Sequence, residues 1–479
     1  MLYPPGKLYQ RSEDRCQTSI DDSAAGSVHA CNDLGYIASV LRNEGYAVFL
    51  RDYQTERRSF DDVVEDVGAF APDMIFLSTT NGTVFGDLRF INDIVGIRKC
   101  RTVIKGAIFF DTDPDMLADL DLSNVDCAVG GEVEFVIARI AAALLRGEGK
   151  MDDIPGIIFK TGDGLKKTRF GCFENDLDSL PFPARDLMNN SLYLRPDTGE
   201  MMATIATSRG CPSNCIYCLT PRISGKRLRR RSVENIFAEI TECFHTYGIK
   251  NFFFKSDTFT LDNAFAGALC DRIISSELRG KIEFTANGRA DTLSPELLRK
   301  MKDAGCFMLA VGFESGSERS LKLMKKGTDV ENNLEAAKMI KAAGVPLFGF
   351  FMIGFPWETA EDIKATKKLI MDIDPDFIEV HIAMPYIGTG LFDLCRETGV
   401  LEGDSFGGNP YDPSITGTKT ISKSDLQKIK NKILLSFYLR PKYLLRRGKE
   451  CLKDPKLFGR YASYGLRLVG RAAKKAIGR

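Results

Sequence analysis

Three closely spaced cysteines are the residues of this sequence best suited to chemistry. Cys211, Cys215 and Cys218 lie in the segment Gly210–Cys218. Cysteine thiolates are soft ligands that bind zinc or iron–sulfur clusters. A structural zinc site needs four ligands, usually supplied as two separated pairs, and the sequence has no second cysteine pair of that spacing and no histidine near this segment. Three thiolates on a four-iron cluster leave one iron free to bind a cosubstrate, so the pattern favours a cluster over zinc.

The elements around this segment predict a partial barrel. The region 201–400 alternates short apolar runs with helical patterns, and the cysteines directly follow the first of its predicted strands. An eight-unit barrel needs about 250 residues, so we expect an α/β fold with a partial (β/α)6 barrel and reactive groups at the carboxyl ends of its strands. The predicted strands are Met202–Thr207, Asn251–Lys255, Ile282–Ala286, Met308–Phe313, Leu347–Ile353 and Phe377–Ile382.

Residues 1–150 predict a separate α/β domain, since a chain of 479 residues is too long for one hydrophobic core. Predicted strands alternate there with helices, which indicates a doubly wound parallel sheet that binds ligands at the carboxyl ends of its strands. The irregular residues 151–200 predict a linker with a hairpin around Gly162–Gly164, and residues 401–479 predict a helical C-terminal region. The predicted strands of the first domain are Tyr46–Leu50, Met74–Ser78, Thr102–Gly106 and Asp126–Gly130.

The cysteine spacing, with aromatic Tyr217 just before Cys218, resembles the signature of the radical S-adenosylmethionine (radical SAM) family. The resemblance implies a 4Fe-4S cluster on the three cysteines, with S-adenosylmethionine bound to the open iron. An electron from the cluster then splits this cosubstrate into methionine and a 5′-deoxyadenosyl radical, which abstracts hydrogen from an unactivated carbon. It also implies a reductant such as flavodoxin or ferredoxin.

Residues that follow the fourth and fifth predicted barrel strands match the same family. Glu314 and its neighbour Ser315 resemble the residues that contact the ribose or methionine part of the cosubstrate. Gly354 lies in a segment, Gly349–Glu358, that resembles the adenine-binding backbone. Each position also has a structural interpretation, because an acidic residue at a strand end often caps a helix and a glycine permits a turn.

Two earlier strand ends carry further candidates. Asn287 and Arg289 follow the third predicted strand, where an arginine can bind a carboxylate of the cosubstrate. Asp257 follows the second predicted strand and is expected to face the substrate as a catalytic residue. The barrel-end rule is the basis for both expectations.

The parallel sheet ahead of the barrel resembles the cobalamin-binding subfamily of radical SAM enzymes, which includes anaerobic tetrapyrrole cyclases, hopanoid radical enzymes and class B methyltransferases. Glycines at the sheet edge would let the backbone approach a large flat ligand. Ala107 and Val133 depart from the subfamily, which often has glycine at both positions, so a sheet that regulates the enzyme or docks substrate stays open as an alternative. The implied cobalamin contacts are Pro4, Pro5, Ser78, Thr79, Gly106, Gly130, Gly131 and Glu132.

The C-terminal region is basic and amphipathic. Residues 440–479 carry thirteen lysines and arginines against Glu450 and Asp454, with leucines interleaved. This pattern is typical of helices that lie on a membrane surface, and the alternative is a solvated helical cap over the barrel. The segment Phe437–Tyr443 also resembles the tails of cobalamin-type radical enzymes that act on hopanoids and tetrapyrroles, which implies a hydrophobic substrate.

The location and the class of partner follow from composition. No uninterrupted stretch of about 20 apolar residues predicts a transmembrane helix, and the N-terminus lacks the pattern of a signal peptide. We therefore expect a cytoplasmic enzyme that associates with a membrane through its tail. The net charge of +1 gives no general attraction to nucleic acid, so the expected substrate is a small or lipid-like molecule.

The resemblance predicts methyl transfer to an unactivated carbon, in which one S-adenosylmethionine methylates cobalt and a second gives the radical. Oxidative cyclisation, as in anaerobic Mg-protoporphyrin ester cyclases, is the alternative on the same machinery. A non-catalytic cobalamin or cluster sensor would not need the cosubstrate pocket predicted around Glu314. Sulfur insertion, as in methylthiotransferases, would favour more cysteines in a cluster-binding arrangement ahead of Cys211, and the earlier cysteines are too scattered for that.

Overall fold

Seven strands form the first sheet of the computed structural model, which describes residues 1–11, 28–401 and 417–453 and the single residues 457, 459 and 465. The strands are β1 (Leu2–Tyr3), β2 (Arg51–Asp52), β3 (Met74–Ser78), β4 (Arg101–Lys105), β5 (Cys127–Val129), β6 (Ile157–Thr161) and β7 (Gly164–Lys167). Their order is β2-β1-β3-β4-β5-β6-β7. The pairs from β2 to β5 are parallel, and β6 and β7 continue the sheet as an antiparallel hairpin.

Helices cover both faces of this sheet, which confirms the doubly wound arrangement predicted from the sequence. One hydrophobic cluster joins α1 and α4 to one face, and another joins α2 and α3 to the opposite face. Both faces of the parallel strands are therefore buried, as parallel sheets require. The helices are α1 (Asn32–Asn43), α2 (Phe60–Phe70), α3 (Val84–Ile97) and α4 (Ile137–Ala141).

One predicted strand is wrong, and one predicted hairpin belongs to the first sheet. The second strand is not Tyr46–Leu50 but the two residues Arg51–Asp52, because β2 pairs only with β1, which itself has two residues. The stretch 151–200 contains the hairpin predicted around Gly162–Gly164, and its strands β6 and β7 extend the first sheet. A boundary at residue 150 therefore leaves out two strands whose backbone hydrogen bonds belong to that sheet.

Six parallel strands form the second sheet, in the order β8-β11-β12-β13-β14-β15. They are β8 (Met202–Ala206), β11 (Asn251–Lys255), β12 (Glu283–Gly288), β13 (Cys306–Glu314), β14 (Leu347–Ile353) and β15 (Phe377–Ile382), and the short β9 (Ser208–Arg209) and β10 (Arg229–Arg230) form a separate antiparallel pair between β8 and β11 in the sequence. Each strand pairs with the next barrel strand in the chain, which confirms the predicted partial barrel of six units. The described strands β8 and β15 are its two open edges.

Ten helices of the described residues follow the first barrel strand. They are α5 (Thr220–Ile223), α6 (Val233–Tyr247), α7 (Asn263–Ile274), α8 (Pro295–Asp303), α9 (Glu318–Leu323), α10 (Val330–Ala342), α11 (Ala360–Ile373), α12 (Gly390–Glu397), α13 (Lys423–Tyr438) and α14 (Pro441–Lys453). Alternate residues of each strand pack against this layer: in β14, Phe351 is buried in the main core, whereas Phe348, Phe350 and Met352 on the other face stay partly exposed. The partly exposed face lines the inside of the barrel, as expected for period-two alternation.

The barrel edges are covered by side chains and short bridges. At β15, the hydroxyl of Tyr438 in α13 accepts a hydrogen bond from the Ile378 N–H (2.9 Å) and donates one to the Ile378 carbonyl (2.8 Å). At β8, the Met202 N–H donates to the Tyr193 carbonyl (2.8 Å). Among the described helices, none is long and apolar enough to cross a membrane.

Buried arginines connect the first domain to the barrel. Arg185 is 1% exposed and its guanidinium donates to the Glu239 carboxylate in α6 (2.7 Å) and to the Thr204 carbonyl in β8 (2.8 Å). Arg231 donates to the other oxygen of Glu239 (2.5 Å). On its other side the segment that carries Arg185 lies on α1, where the Ser39 hydroxyl donates to the Phe182 carbonyl (2.6 Å). One carboxylate therefore balances two buried cations at the junction.

Replacing Glu239 with alanine should lower the free energy of unfolding by about 3–5 kcal/mol, because both guanidinium groups stay buried without their carboxylate. Chemical denaturation of the full chain measures the change. The matched control is Glu234→Ala in the same helix, which removes an exposed pair with Arg272 (3.0 Å) and should change stability by less than about 1 kcal/mol. Equal effects of the two substitutions would contradict the prediction.

Candidate active site

The cysteine segment is a loop that leaves the barrel between β9 and α5. At its start, Gly210 has a φ of +88°, a left-handed conformation that favours glycine. A Cβ at Gly210 would lie 2.1 Å from the Arg227 carbonyl oxygen, so no other residue fits there without movement of the backbone. Backbone hydrogen bonds then hold the loop: the Cys211 N–H donates to the Gly225 carbonyl (3.1 Å) and the Ile216 N–H to the Met324 carbonyl (3.1 Å).

Asp257 joins the two ends of this loop. One carboxylate oxygen accepts from the Gly210 N–H (2.5 Å), and the other accepts from the Thr220 hydroxyl (3.1 Å). Gly210 precedes the first cysteine and Thr220 follows the last. The residue predicted to face the substrate thus has both oxygens in hydrogen bonds with the cysteine loop.

The three thiols fit an iron–sulfur cluster by their chemistry and surroundings. Cys211 and Cys215 are buried and Cys218 is partly buried, and burial raises the pKa of the Cys218 thiol against hydrogen bonds from Thr220 that lower it. A bound cation stabilises such a buried thiolate. In the described part of the chain, no three His, Cys, Asp or Glu side chains are arranged to share one metal ion. A cluster needs no such convergence, because its thiolates bind different irons.

Arg289, predicted at the end of the third barrel strand, lies beside the loop. Its guanidinium is 3.8 Å from the Cys215 sulfur and donates to the Asp291 carboxylate (2.8 Å) and to the Lys326 carbonyl (2.7 Å). The arginine is held from two sides and brings a positive charge to the Cys215 sulfur. Asn287 is partly buried on the inner face of β12, two residues before Arg289.

Glu314 is brought to the cysteine loop by an unusual backbone conformation. Its φ is +62°, which is uncommon for a residue other than glycine and is found at functional sites. A Cβ at Gly312 would lie 2.4 Å from a Glu314 carboxylate oxygen, so the glycine makes room for this side chain. The carboxylate accepts hydrogen bonds from Lys326 (2.8 Å) and from the hydroxyl of Tyr217, on the cysteine loop.

Lys326 is a residue that the sequence analysis missed. It is buried, and although burial lowers its pKa, the charges of Glu314 and Cys215 outweigh this effect and raise the pKa. The lysine is therefore charged beside the cluster loop. It follows α9 in the segment Lys325–Gly327, and Gly327 has a φ of +77°, so a Lys-Lys-Gly sequence at the end of a helix is the signal that could have marked it.

The segment after β14 is organised by a buried carboxylate. Glu358 accepts hydrogen bonds from the N–H groups of Gly354 (2.6 Å) and Phe355 (3.2 Å) and from the Ser320 hydroxyl (3.0 Å). Burial raises the pKa of Glu358 from 4.5 to about 7, against these hydrogen bonds, which lower it. The ring of Phe355 stacks on Trp357 (4.9 Å between centroids) and meets the edge of Tyr217 (5.7 Å), so this segment packs on the cysteine loop.

Ser315 is enclosed by the protein, and its hydroxyl forms hydrogen bonds with neighbouring residues. Its hydroxyl is 3.0 Å from the Thr366 hydroxyl and accepts from the Ser317 N–H (3.1 Å). The residue is fully buried. Its hydrogen bonds hold the turn after β13 against α11, next to Glu314.

At the edge of the first sheet lie Ser78 and Thr79, which were predicted to contact cobalamin. Their hydroxyls form hydrogen bonds within the first domain. The Ser78 hydroxyl donates to Asp33 at the start of α1 (2.6 Å), and the Thr79 hydroxyl donates to Asp87 in α3 (2.6 Å). Pro4 and Pro5 directly follow β1 at the same edge. These four residues therefore shape the edge on which a ligand would lie.

The glycines at this edge differ in what a side chain would contact. A Cβ at Gly130 would lie 2.3 Å from the Phe110 backbone, and one at Gly106 would lie 2.7 Å from the Thr79 methyl group, so both are required by packing. A Cβ at Gly131 would have only the Phe110 ring at 3.7 Å. Gly131 also lines the cavity between the two sheets, so its missing side chain leaves the sheet edge open to close approach by a large flat ligand such as cobalamin.

Glu132 has partners in the barrel. Its carboxylate accepts two hydrogen bonds from Arg229 (2.6 and 2.8 Å) and lies 3.3 Å from the guanidinium of Arg209. Arg209 also binds Glu134. Although burial raises the pKa of Glu134, the charges of Arg209 and Lys105 outweigh it and lower the pKa. The acidic end of the predicted cobalamin motif thus forms ion pairs with the hairpin β9–β10 that leads into the cysteine loop.

A cavity of about 80 Å³ lies where the carboxyl edges of the two sheets face each other. Parallel α/β sheets bind their ligands at this edge, and here two such edges share one space. Asp257, which holds the cysteine loop, is part of its wall. Residues of both sheets line it, among them Lys105, Gly130, Gly131 and Glu132 from the first sheet and Ser208, Arg209, Lys255 and Asp257 from the barrel side.

Two family models match the chain. The Radical SAM superfamily matches residues 205–370 and the B12 binding domain matches residues 22–141. An uncharacterized methyltransferase of Pyrococcus horikoshii is 30% identical over 413 residues, which cover 86% of this chain and 88% of the relative. The chain belongs to the cobalamin-binding radical SAM enzymes. Membership assigns it a 4Fe-4S cluster, S-adenosylmethionine and cobalamin, and favours cobalamin binding over a sheet that only regulates or docks substrate.

Other comparisons agree with this family. The anaerobic magnesium-protoporphyrin IX monomethyl ester cyclase of Cereibacter sphaeroides is 22% identical over 383 residues, covering 76% of this chain and 60% of the relative. The radical SAM methyltransferase TsrM of Kitasatospora setae, solved with cobalamin and a 4Fe-4S cluster bound, has a TM-score of 0.68 at 16% identity, covering 92% of this chain and 89% of TsrM. The likeness to TsrM confirms the α/β fold with two successive parallel sheets.

Asp257→Asn should weaken cluster retention roughly tenfold, because it removes a charge-assisted hydrogen bond of about 1.5–3 kcal/mol from the cysteine loop. Iron and sulfide content and the electron paramagnetic resonance signal after anaerobic reconstitution measure the effect. Asp372→Asn, at an exposed pair with Lys368, is the control. A variant that holds a full cluster but forms no product would instead place Asp257 against the substrate.

Glu358→Gln should flatten the dependence of stability on pH. With a folded pKa of about 7 and an unfolded value near 4.5, the native protein binds more protons, so wild-type stability falls as pH rises from about 4.5 to 7, by on the order of 3 kcal/mol. Glutamine cannot titrate and loses this component. Tm measured from pH 5 to 7 should fall more in the wild type than in Glu358→Gln, whereas the exposed control Glu361→Gln should follow the wild type; parallel curves for all three proteins would refute the assignment.

Proposed function

We propose that this enzyme transfers a methyl group to an unactivated carbon of a hydrophobic small molecule. The observation that carries the proposal is the shared cavity, in which the glycine edge of the first sheet faces the barrel end that holds the cysteine loop. When bound, the cluster and S-adenosylmethionine supply a carbon radical, and cobalamin supplies the methyl group. Both supplies are needed at one substrate atom, and two ligand-binding sheet edges that face each other suit that requirement.

The residues around the loop position the cosubstrate and adjust local charge. Arg289 and Lys326 place two cations close to Cys215, which offsets the negative charge of thiolate ligands. Glu314, held by Lys326 and Tyr217, presents a carboxylate that can accept hydrogen bonds from ribose hydroxyls or an amino group. The Gly354 segment, whose N–H groups at Gly354 and Phe355 are bound by Glu358, offers its other backbone groups for adenine.

The interior surfaces support a hydrophobic substrate. Phe348, Phe350 and Met352 present apolar side chains on the inner face of β14. The charged groups at the cavity pair largely with each other, as Glu132 does with Arg229, so the cavity does not require a charged substrate. Exclusion of water by aromatic packing at Phe355 protects a reactive radical from side reactions.

Oxidative cyclisation is the second candidate, favoured by the similarity to the magnesium-protoporphyrin ester cyclase. The same cluster loop and cavity serve this reaction, because it also begins with hydrogen abstraction from an unactivated carbon. The two reactions differ in the fate of the methyl group. Transfer of label from S-adenosylmethionine to cobalt and then to product therefore separates them.

For partners, we propose a flavodoxin or ferredoxin as reductant and a cytoplasmic enzyme in peripheral contact with a membrane. The reductant is supported by the family chemistry, since the cluster must receive an electron for each cleavage. The membrane contact is supported by the C-terminal helices. Nothing in the net charge of +1 favours a nucleic acid.

Anaerobic reconstitution with cobalamin and methyl-labelled S-adenosylmethionine should give protein that retains cobalamin and transfers label to cobalt. Cys215→Ala should still bind cobalamin but lose reductive cleavage of S-adenosylmethionine to background, a fall of at least a hundredfold on the scale of catalytic deletions. Cleavage retained in Cys215→Ala would refute the cluster assignment. Failure of the wild type to retain cobalamin, with no label on cobalt, would refute methyl transfer and leave cyclisation or another radical reaction.

A further inference from the structure

Helix α14 has its amphipathic faces reversed relative to the protein core. Its arginines face the barrel, where Arg447 is buried, while Leu444, Leu445 and Leu452 are 52%, 66% and 85% exposed. Their spacing, with Gly448 between them, places the three leucines on one face of the helix. A helix that packed only as a cap would turn its leucines inward, so this face is made for contact with something else.

Two aspartates before β15 hold the helix in this orientation. Asp376 accepts a hydrogen bond from Arg447 (2.8 Å), and Asp374 lies within salt-bridge distance of Arg440 and of Arg446 (3.4 Å). Burial raises the pKa of Asp374, but Lys442 and the two arginines outweigh it and lower the pKa, so the carboxylate stays charged. The cations predicted to face a membrane are thus partly used as anchors on the barrel.

The residues that anchor α14 also make contacts other than ion pairs. Arg447 lies over the ring of Phe377 (4.8 Å) and Arg446 donates to the Pro375 carbonyl (2.8 Å). Tyr443, on the same side as the arginines, is buried beside Phe437 (5.4 Å between centroids). Rotation of the helix to bury its leucines would break these contacts, so the outward face is fixed by the fold.

We infer that the leucine face, defined as Leu444, Leu445 and Leu452, inserts into the surface of an anionic lipid bilayer. Lys449 is exposed beside it, as is Lys442, whose ammonium group pairs with Asp374 (2.9 Å), and residues 454–479 carry seven lysines and arginines against one aspartate. An apolar face bordered by cations is the pattern of interfacial helices, in which leucines enter the acyl boundary and cations bind lipid phosphates. This inference rests on the proposed membrane association and does not depend on which carbon reaction the enzyme performs.

Charge argues against a second copy of the chain as the occupant. A symmetric dimer through this face would bring the Lys449 side chains of both copies into one interface, and like charges in an interface disfavour association. An anionic bilayer instead presents opposite charge over the whole basic region. The lipid surface is therefore the occupant that the exposed charges favour.

Vesicle flotation of the full-length enzyme tests the inference. The wild type should float with vesicles of phosphatidylglycerol and phosphatidylcholine, and much less with phosphatidylcholine alone. Leu444→Ser with Leu445→Ser should lower binding roughly tenfold, since two leucines no longer leave water, and Lys449→Gln should lower it roughly threefold. Ile97→Ser, at an exposed apolar residue of α3, should bind as the wild type does.

Three results would overturn the inference: no binding of the wild type to anionic vesicles, unchanged binding of the double serine variant, or a wild-type dimer in light scattering that the double variant loses. The substituted residues are exposed, so the variants should keep the wild-type Tm. Cleavage of S-adenosylmethionine, measured in the same preparations without lipid, separates a failure of the docking surface from a failure of the proposed function. Normal cleavage without vesicle binding contradicts only the docking surface, whereas vesicle binding without cleavage contradicts only the proposed function.

Discussion

The contact between the two sheets depends on buried ion pairs at their facing edges. Arg209 and Arg229 from the β9–β10 hairpin bind Glu132 and Glu134 at the end of the first sheet. Buried pairs of this kind bring little net stability, but their geometry is specific because each charge needs its partner. Arg209 directly precedes Gly210, so the hairpin that joins the domains also begins the cysteine loop. The position of the cluster loop relative to the cobalamin edge is therefore set by the same side chains that hold the domains together.

The order of elements could be predicted from the sequence where one pattern dominated. The barrel strands are apolar runs between long amphipathic helices, and β11, β14 and β15 begin and end at the predicted residues. The apolar run Tyr46–Leu50 was equally strand-like but forms no strand. The run forms no strand because β2 pairs only with β1. The two residues of β1 offer ladder partners to Arg51 and Asp52 alone. Pairing length is a property of the sheet and leaves no mark on the local sequence.

In the candidate site, too, some residues could be predicted from the sequence and others depend on the tertiary structure. The cysteines, Arg289 and Glu314 could be named from motifs at strand ends, and the structure brings them together. Lys326 was missed, because its Lys-Lys-Gly sequence indicates only the end of a helix, whereas the turn after α9 places it beside Glu314. The contacts of Asp257 also depend on tertiary structure: β8 and β11 pair with Ala206 opposite Lys255, which aligns the carboxylate with the ends of the cysteine loop. A strand-end aspartate is recognisable in a sequence, whereas the groups that it binds are set by register.

An incomplete barrel has a vulnerability that a closed barrel lacks, since each open edge offers unpaired backbone groups to a strand from another molecule. This fold blocks both edges with little material. At β15 a single phenol, Tyr438, occupies the N–H and the carbonyl of Ile378 together. At β8 the chain itself returns, with Leu194 bridged to Met201. The two edges are thus kept from recruiting a neighbouring chain, and a barrel of six strands can remain open without the aggregation to which unprotected edges are prone.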